Sequence, residues 1–313
     1  MISQLPSQPG NARTPPVARS LLASLVIRTF NEADHLGSLL RAVSVQTIPG
    51  ATSIEVIVVD SGSTDGTQDI ASGAGAKVLT IRKEDFTFGR SLNVGCEAAR
   101  GEFLILISGH CIPVHESWLE ELLAPLRDPL VAATYGRQVG GQTTRFSESR
   151  VFEKYYPGGP ATQSPSFCNN ANCAIRRSLW RRFQYDETLT GLEDMDMGKK
   201  IVGAGFRIAY VPTAAVHHIH DESWAQIKRR YEREAIALRH IHPEMHFHLT
   251  DAVRCFFSAV FGDLLAAIRE RIPLAKWPGI PAFRFHQFLG SWLGNRPHRE
   301  LSNKEKMRYF FPT

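Results

Sequence analysis

Short apolar runs alternate with polar, helix-period segments through the first part of the chain. Ser24–Thr29, Ile54–Asp60, Lys77–Ile81 and Phe103–Ser108 are nearly continuous stretches rich in Val, Ile and Leu. Runs of that length without alternation predict strands buried on both faces of a parallel sheet. Between them, residues 34–45, 66–73 and 89–99 have helical patterning. Strand–helix–strand alternation requires right-handed crossovers and predicts an α/β doubly wound sheet flanked by helices. Further on, the pattern predicts a helix over 118–126, a strand over 169–175, a helix opening at Glu193, a strand over 207–211 and a long charged helix over 223–240.

In a sheet of this kind ligands bind beyond the carboxyl ends of the strands. Those ends read Arg28 to Glu32, Asp60 to Asp65 and Ser108 to His110, all polar, and all are expected to face one crevice. Asp60 ends a buried strand, and Ser61-Gly62-Ser63-Thr64-Asp65-Gly66 forms a tight turn into the next helix. A carboxylate there can accept hydrogen bonds from a ribose hydroxyl or a base N–H, whereas Asp65 is placed to cap the helix. Asn31 and Glu32 can be cap residues. Arg28 reads as an unpaired cation at a strand end, calling for an anion such as a nucleotide.

His110 is either a packed core residue or a metal ligand, and its place at the crevice favours the ligand. His217, His218 and His220 stand at another strand end, where His218 and His220 share a face in extended geometry. One of them can join His110 around a divalent cation, and imidazole suits Mn2+ better than Mg2+; a neutral surface cluster is the alternative. Glu193 and Asp194 open a helix, where acidic groups complement the dipole or supply a general base. Asp196 is in reach of Lys200 and reads as structural.

Residues 136–166 hold Gly140-Gly141, Gly158-Gly159 and three prolines, which predicts a mobile loop shaping an acceptor site. Residues 1–23, rich in Pro, Ser and Gln, predict a disordered lead. Residues 24–245 form the main domain, and 246–313 an aromatic, amphipathic helical tail. Arg254 and Asp263 interrupt the tail's apolar segment, which argues against a span. Cations and aromatics through residue 292 suit either a peripheral contact with a membrane interface or a helix packed on the domain. The net charge of +5 is too mild and dispersed to indicate nucleic-acid binding. Five cysteines without metal-site spacing read as reduced thiols, hence a cytoplasmic protein, peripheral on the inner membrane face if the tail binds there.

Val26 to Glu32 and Val58 to Thr67, in that order, resemble the opening strand and nucleotide-binding turn of the family 2 glycosyltransferases. Gly191-Leu192-Glu193-Asp194 resembles that family's Glu-Asp motif, and Asn169 to Arg176 the preceding strand of rhamnosyltransferase-like members. The resemblance spans about 24 to 240. It implies the GT-A fold, a Rossmann-like, mostly parallel sheet, and inverting transfer from a nucleotide-diphosphate sugar to a glycan or lipid-linked acceptor. It makes Asp194 the base, with Glu193 beside it. Thr29, Glu32 and Asp60 would contact base and ribose, and Arg28, Asn31, Ser61, Gly62 and Arg90 would complete the nucleotide site. His110 and His218 would hold the metal. Gln226 and Arg229 echo an acceptor motif of processive synthases, with Arg230 in place of its usual Trp. Where the family has Asp-x-Asp, this chain has Ser108-Gly109-His110. That departure leaves open a Mn2+ site, metal-independent stabilisation of the leaving group, or a non-catalytic nucleotide-sugar-binding protein. A nucleotidyltransferase or an oxidoreductase would need a Gly-rich phosphate loop that this chain lacks.

Overall fold

The computed structural model describes residues 23–47, 54–159 and 164–296. The expected disordered lead lies outside the described residues except for Ala23, as does the tail beyond 296. Eight strands form one sheet: β1 (Ala23–Thr29), β2 (Glu55–Asp60), β3 (Lys77–Thr80), β4 (Phe103–Ser108), β5 (Cys111–Pro113), β6 (Val131–Gly140), β7 (Asn172–Arg176) and β8 (Arg207–His218). The described residues also form ten α-helices: α1 (Ala33–Ser44), α2 (Thr67–Gly73), α3 (Phe88–Ala98), α4 (Trp118–Leu123), α5 (Phe146–Tyr155), α6 (Arg177–Phe183), α7 (Glu193–Gly203), α8 (Trp224–Ile241), α9 (Leu249–Arg269) and α10 (Gly279–Asn295).

The strand order is β3-β2-β1-β4-β7-β6-β8-β5. β1 pairs in parallel with β2 and β4, β2 with β3, and β6 with β8. β7 runs antiparallel between β4 and β6, and β5 antiparallel on β8. The apolar runs are continuous because both faces are covered. Val26, Leu104 and Leu106 enter the core on one face, and Leu25, Ile27, Ile105 and Ile107 the core on the other. Thr29 lies beside Asp60 and Arg28 beside Ser108 in the ladder, so the three predicted strand ends do converge. The reversed direction of β7 brings the residues before it, Asn169 and Asn170, to the same end.

Two expectations are corrected. About half of the supposed loop over 136–166 is regular: its start completes β6 and its middle is α5. Of the glycines that suggested a loop, Gly140 serves close packing, where a Cβ would lie 2.8 Å from Thr144, and Gly136 at the start of the segment does so more tightly. A Cβ on Gly136 would lie 2.0 Å from the Ala214 carbonyl oxygen and 2.3 Å from the Asn172 amide nitrogen. The strand expected to end at Val211 continues to His218. Pro212 is tolerated within it because it falls where the β6–β8 register shifts, and an irregularity spares the hydrogen bond that proline cannot donate.

In the tail, α10 lies directly on α8. A Cβ on Gly290 would meet the Lys228 carbonyl at 2.3 Å, and one on Gly294 the Glu232 carbonyl at 2.1 Å. α9 packs on α10, and buried Asp263 and Arg284 join them through bonds of 2.8 and 2.9 Å. No described helix is long and apolar enough to cross a membrane. Since Gly136 has no room for a methyl group, Gly136→Ala should lower unfolding stability by about 1–3 kcal/mol. Urea denaturation would show this as a reduced midpoint with an unchanged slope.

Candidate active site

At the β1–β2 end of the crevice the two turns are laced together. Asp60 is fully buried, and its carboxylate accepts from Thr29 Oγ1 (3.0 Å), the backbone of Gly62 and Ser63, Ser63 Oγ and Gln68 Nε2 (2.7 Å). Those donors occupy about as many lone pairs as a carboxylate offers. Asp60 therefore builds its own turn in this conformation, and a ribose hydroxyl would have to displace Ser63 or Gln68. Asn31, at φ 54°, accepts from the Thr64 N–H, and its own N–H donates to Ser63 Oγ. Asp65 accepts from Thr67 at the start of α2 and from the Ala33 N–H at the start of α1, tying the two turns together, while the N-cap of α2 is Gly66. Ser61 is buried, Gly62 sits in the left-handed region, and Arg90 is exposed on the first turn of α3.

Arg28 requires a correction. It is not an unpaired cation: its Nη1 lies 3.0 Å from Glu193 Oε1, and it faces the Phe88 ring. The anion it needed is internal. Leu192, at φ 56°, turns the chain into α7 so that Glu193 and Asp194 both point inward, a conformation that costs a side chain about 1–2 kcal/mol. Asp194 accepts from the backbone N–H groups of Asn170 (3.1 Å) and Met195 (2.8 Å). Tyr185 in turn holds the Asn170 side chain. Burial, then the charge of Glu193, push the Asp194 carboxyl up to about 7, against the two amides and Arg28. With Glu193 tied to Arg28, Asp194 is the carboxylate poised to exchange a proton near neutrality.

His110, His218 and His220 meet where β4, β6 and β8 end. His218 Nε2 lies 3.1 Å from His110 Nε2 and 3.0 Å from His220 Nε2. Each ring's Nδ1 faces an acceptor: Glu32 for His110 (2.7 Å), Gln138 for His218 (2.6 Å) and Glu148 for His220 (2.7 Å). Gln138 is oriented by its amide's donation to Asn169 Oδ1. Acceptors at Nδ1 assign the proton there and leave the three Nε2 lone pairs facing one another. Only a shared proton or a cation relieves that arrangement. Burial, then the neighbouring His220 and His110, hold His218 well below the usual imidazole range. Burial also opposes charge on His110, but Glu32 outweighs it and raises that pKa.

The remaining expected positions are accounted for as follows. Glu32, expected at the nucleotide, turns its carboxylate to His110. Gln226 is held in a capping box with Ser223 at the start of α8. Arg229 is half-buried on α8. Arg230 is a clamp behind the imidazoles, binding Glu148 (2.5 Å) and Glu222 (2.6 Å). Asp196 pairs with Lys200 at 2.6 Å, and His217 points to the opposite, exposed face. Sequence reasoning placed one of His217, His218 and His220 beside His110 and gave His218 as the ligand, whereas His218 and His220 both meet there. It passed over Gln138, Asn169 and Asn170. The three asparagines at 169, 170 and 172 were their visible signal.

This sheet with these strand ends is the GT-A fold. Residues 24–189 match the model described as Glycosyl transferase family 2, more than half of the chain, and the protein belongs to that family. It is a glycosyltransferase. It is 27% identical over 221 residues to the O-antigen chain rhamnosyltransferase RfbN of Salmonella typhimurium, covering 66% of this chain and 69% of that one. It is 28% identical over 191 residues to WbaN of Salmonella anatum, also an O-antigen chain rhamnosyltransferase, spanning 56% of this chain and 60% of the relative's length. Among solved structures, mannosyltransferase PcManGT from Pyrobaculum calidifontis, in complex with GDP-Man and Mn2+, superposes with a TM-score of 0.60 at 18% identity. That alignment covers 90% of this chain and 89% of the other, and it shows the shared fold.

The folded state holds protons on Asp194, and on His110, that the unfolded chain releases at lower pH. Both groups therefore stabilise at low pH, and that contribution is lost as pH rises through their folded values, about 7 for Asp194. In metal-free buffer the thermal midpoint should fall as pH is raised through neutrality. In Asp194→Asn the fall should be shallower.

Proposed function

We propose that this protein transfers a sugar, with inversion, from a nucleotide-diphosphate donor to an acceptor hydroxyl in cell-surface glycan synthesis. The observation that carries this reading is Asp194, buried in the crevice with its carboxyl near neutrality. The acceptor oxygen attacks the anomeric carbon, the bond to the diphosphate breaks, and the hydroxyl proton passes to Asp194. Arg28 and Glu193 hold the base's surroundings rigid. The Asp60 turn and the Asn31–Glu32 turn, with Thr29, Ser61 and Gly62, form the nucleotide end, and Arg90 lies at its edge. The GT-A unit over 24–245 contains every one of these groups. The rhamnosyltransferase relatives support a deoxyhexose or hexose donor, and the neighbour bound to GDP-Man supports the donor class.

The three facing lone pairs fit a divalent cation. His110, His218 and His220 would hold it, with Glu32, Gln138 and Glu148 orienting the rings. Bound there, it would offset the negative charge that develops on the leaving diphosphate. A ligand set without carboxylates favours Mn2+ over the harder Mg2+, as does the Mn2+ in the PcManGT complex. The acceptor is read as a glycan or a lipid-linked sugar reached at a membrane surface, on the cytoplasmic side. The buried free thiols Cys96, Cys111, Cys168 and Cys173 support a reducing compartment.

Asp194→Asn should lower kcat by about 10²- to 10⁴-fold in a screen of nucleotide-sugar donors, with donor affinity by calorimetry unchanged. Undiminished turnover would refute the base, and donor binding with no turnover by the wild type would favour a binding protein. Titrating the metal-free protein with Mn2+ alone should show one site. Glu32→Gln or Gln138→Leu should weaken it about 10- to 100-fold, and equal affinity for Mg2+ would contradict the imidazole assignment.

A further inference from the structure

α9 has two apolar faces. Its inner face is made of small residues, Ala252, Ala266 and Ala267, buried with Asp263 against α10. Its outer face has large ones: Leu249, Val253, Phe257, Phe261, Leu265 and Ile268 are all exposed, Phe257 and Phe261 by 66% and 65%. A four-residue spacing keeps these side chains on one arc along a helix about 30 Å long. One apolar face is all a helix needs to dock on its domain. A second, with phenylalanines two-thirds in solvent, calls for another apolar medium.

The charges around the stripe point to what that medium is. Arg269, Arg271 and Lys276 are exposed at its C-terminal end, and so is Leu274 between the last two. The nearby acids are otherwise engaged: Asp251 with Arg254 at 3.4 Å, Glu270 with Arg150 of α5 at 3.6 Å, and Asp263 inside with Arg284. A two-fold contact between copies would set these cations against an N-terminal half whose one acid, Asp251, already has a partner. A surface that is apolar below and anionic above satisfies both features.

We infer that the outer face of α9 is a docking surface for an anionic lipid bilayer, with the helix lying in the plane of the interface. This deepens the reading of a transferase that meets its acceptor at a membrane. Arg150, which holds the C-terminal end of α9, stands two residues from Glu148, the partner of His220. The docked end is therefore joined through α5 to the reaction centre. The small inner face and the Asp263–Arg284 pair keep α9 on the protein and prevent it from inserting across the bilayer.

The test is vesicle flotation of the full-length protein with phosphatidylcholine alone and with phosphatidylcholine plus phosphatidylglycerol. The wild type should float with the anionic vesicles, less so as salt is added. Phe257→Ser/Phe261→Ser should lower the partition coefficient about tenfold or more. Arg269→Glu/Arg271→Glu should abolish the preference for anionic lipid. These side chains face solvent, so circular dichroism and Mn2+ titration should match the wild type. Three results would overturn the proposal: no flotation of a folded, Mn2+-binding wild type, flotation indifferent to lipid charge, or a dimer that the Phe pair dissociates without any vesicle binding. Each leaves the assignment of the crevice untouched.

Discussion

The site depends on one constraint: three imidazoles are each held at Nδ1, so their Nε2 atoms have nowhere to point except at one another. The acceptors come from separate parts of the chain, Glu32 after β1, Gln138 in β6 and Glu148 in α5. None of the rings can turn away without giving up its Nδ1 hydrogen bond, and for the fully buried His218–Gln138 bond that loss is about 1–3 kcal/mol. The cluster is preorganised by the fold, which brings the Nε2 atoms of the three rings together.

The same network reaches the carboxylates. Asn169 accepts from Gln138 behind His218, and the next residue, Asn170, donates its N–H to Asp194 and its side-chain amide toward Glu193. Two consecutive residues thus link the imidazole cluster to the acidic pair. They can do so because β7 runs antiparallel between β4 and β6, which delivers its leading segment to the crevice. Burial then raises Asp194, while Arg28 neutralises Glu193. Two adjacent carboxylates acquire different partners from their surroundings, a guanidinium for Glu193 and two backbone amides for Asp194.

Local pattern was a reliable guide wherever one residue type has one physical consequence. Val, Ile and Leu in unbroken runs require burial on both faces, and β1, β2 and β4 follow. It was misleading at Gly140, because glycine marks turns and equally marks close contacts. It also misjudged Arg28: a cation at a strand end needs an anion, but the identity of that anion, Glu193, is set 165 residues away.

The sequence by itself determined the alternating elements, the polar strand ends that share a crevice, and the pairing of His218 with His220 on one side of an extended segment. These follow from steric periodicity, which acts over a few residues. Only the tertiary structure decided that Glu32 serves His110 and that Asp60 is consumed by its own turn. It alone decided that Arg230 clamps Glu148 and that α9 shows its phenylalanines to solvent. Those outcomes depend on which distant groups compete for a given lone pair or apolar surface, and such competition is resolved only when the chain is packed.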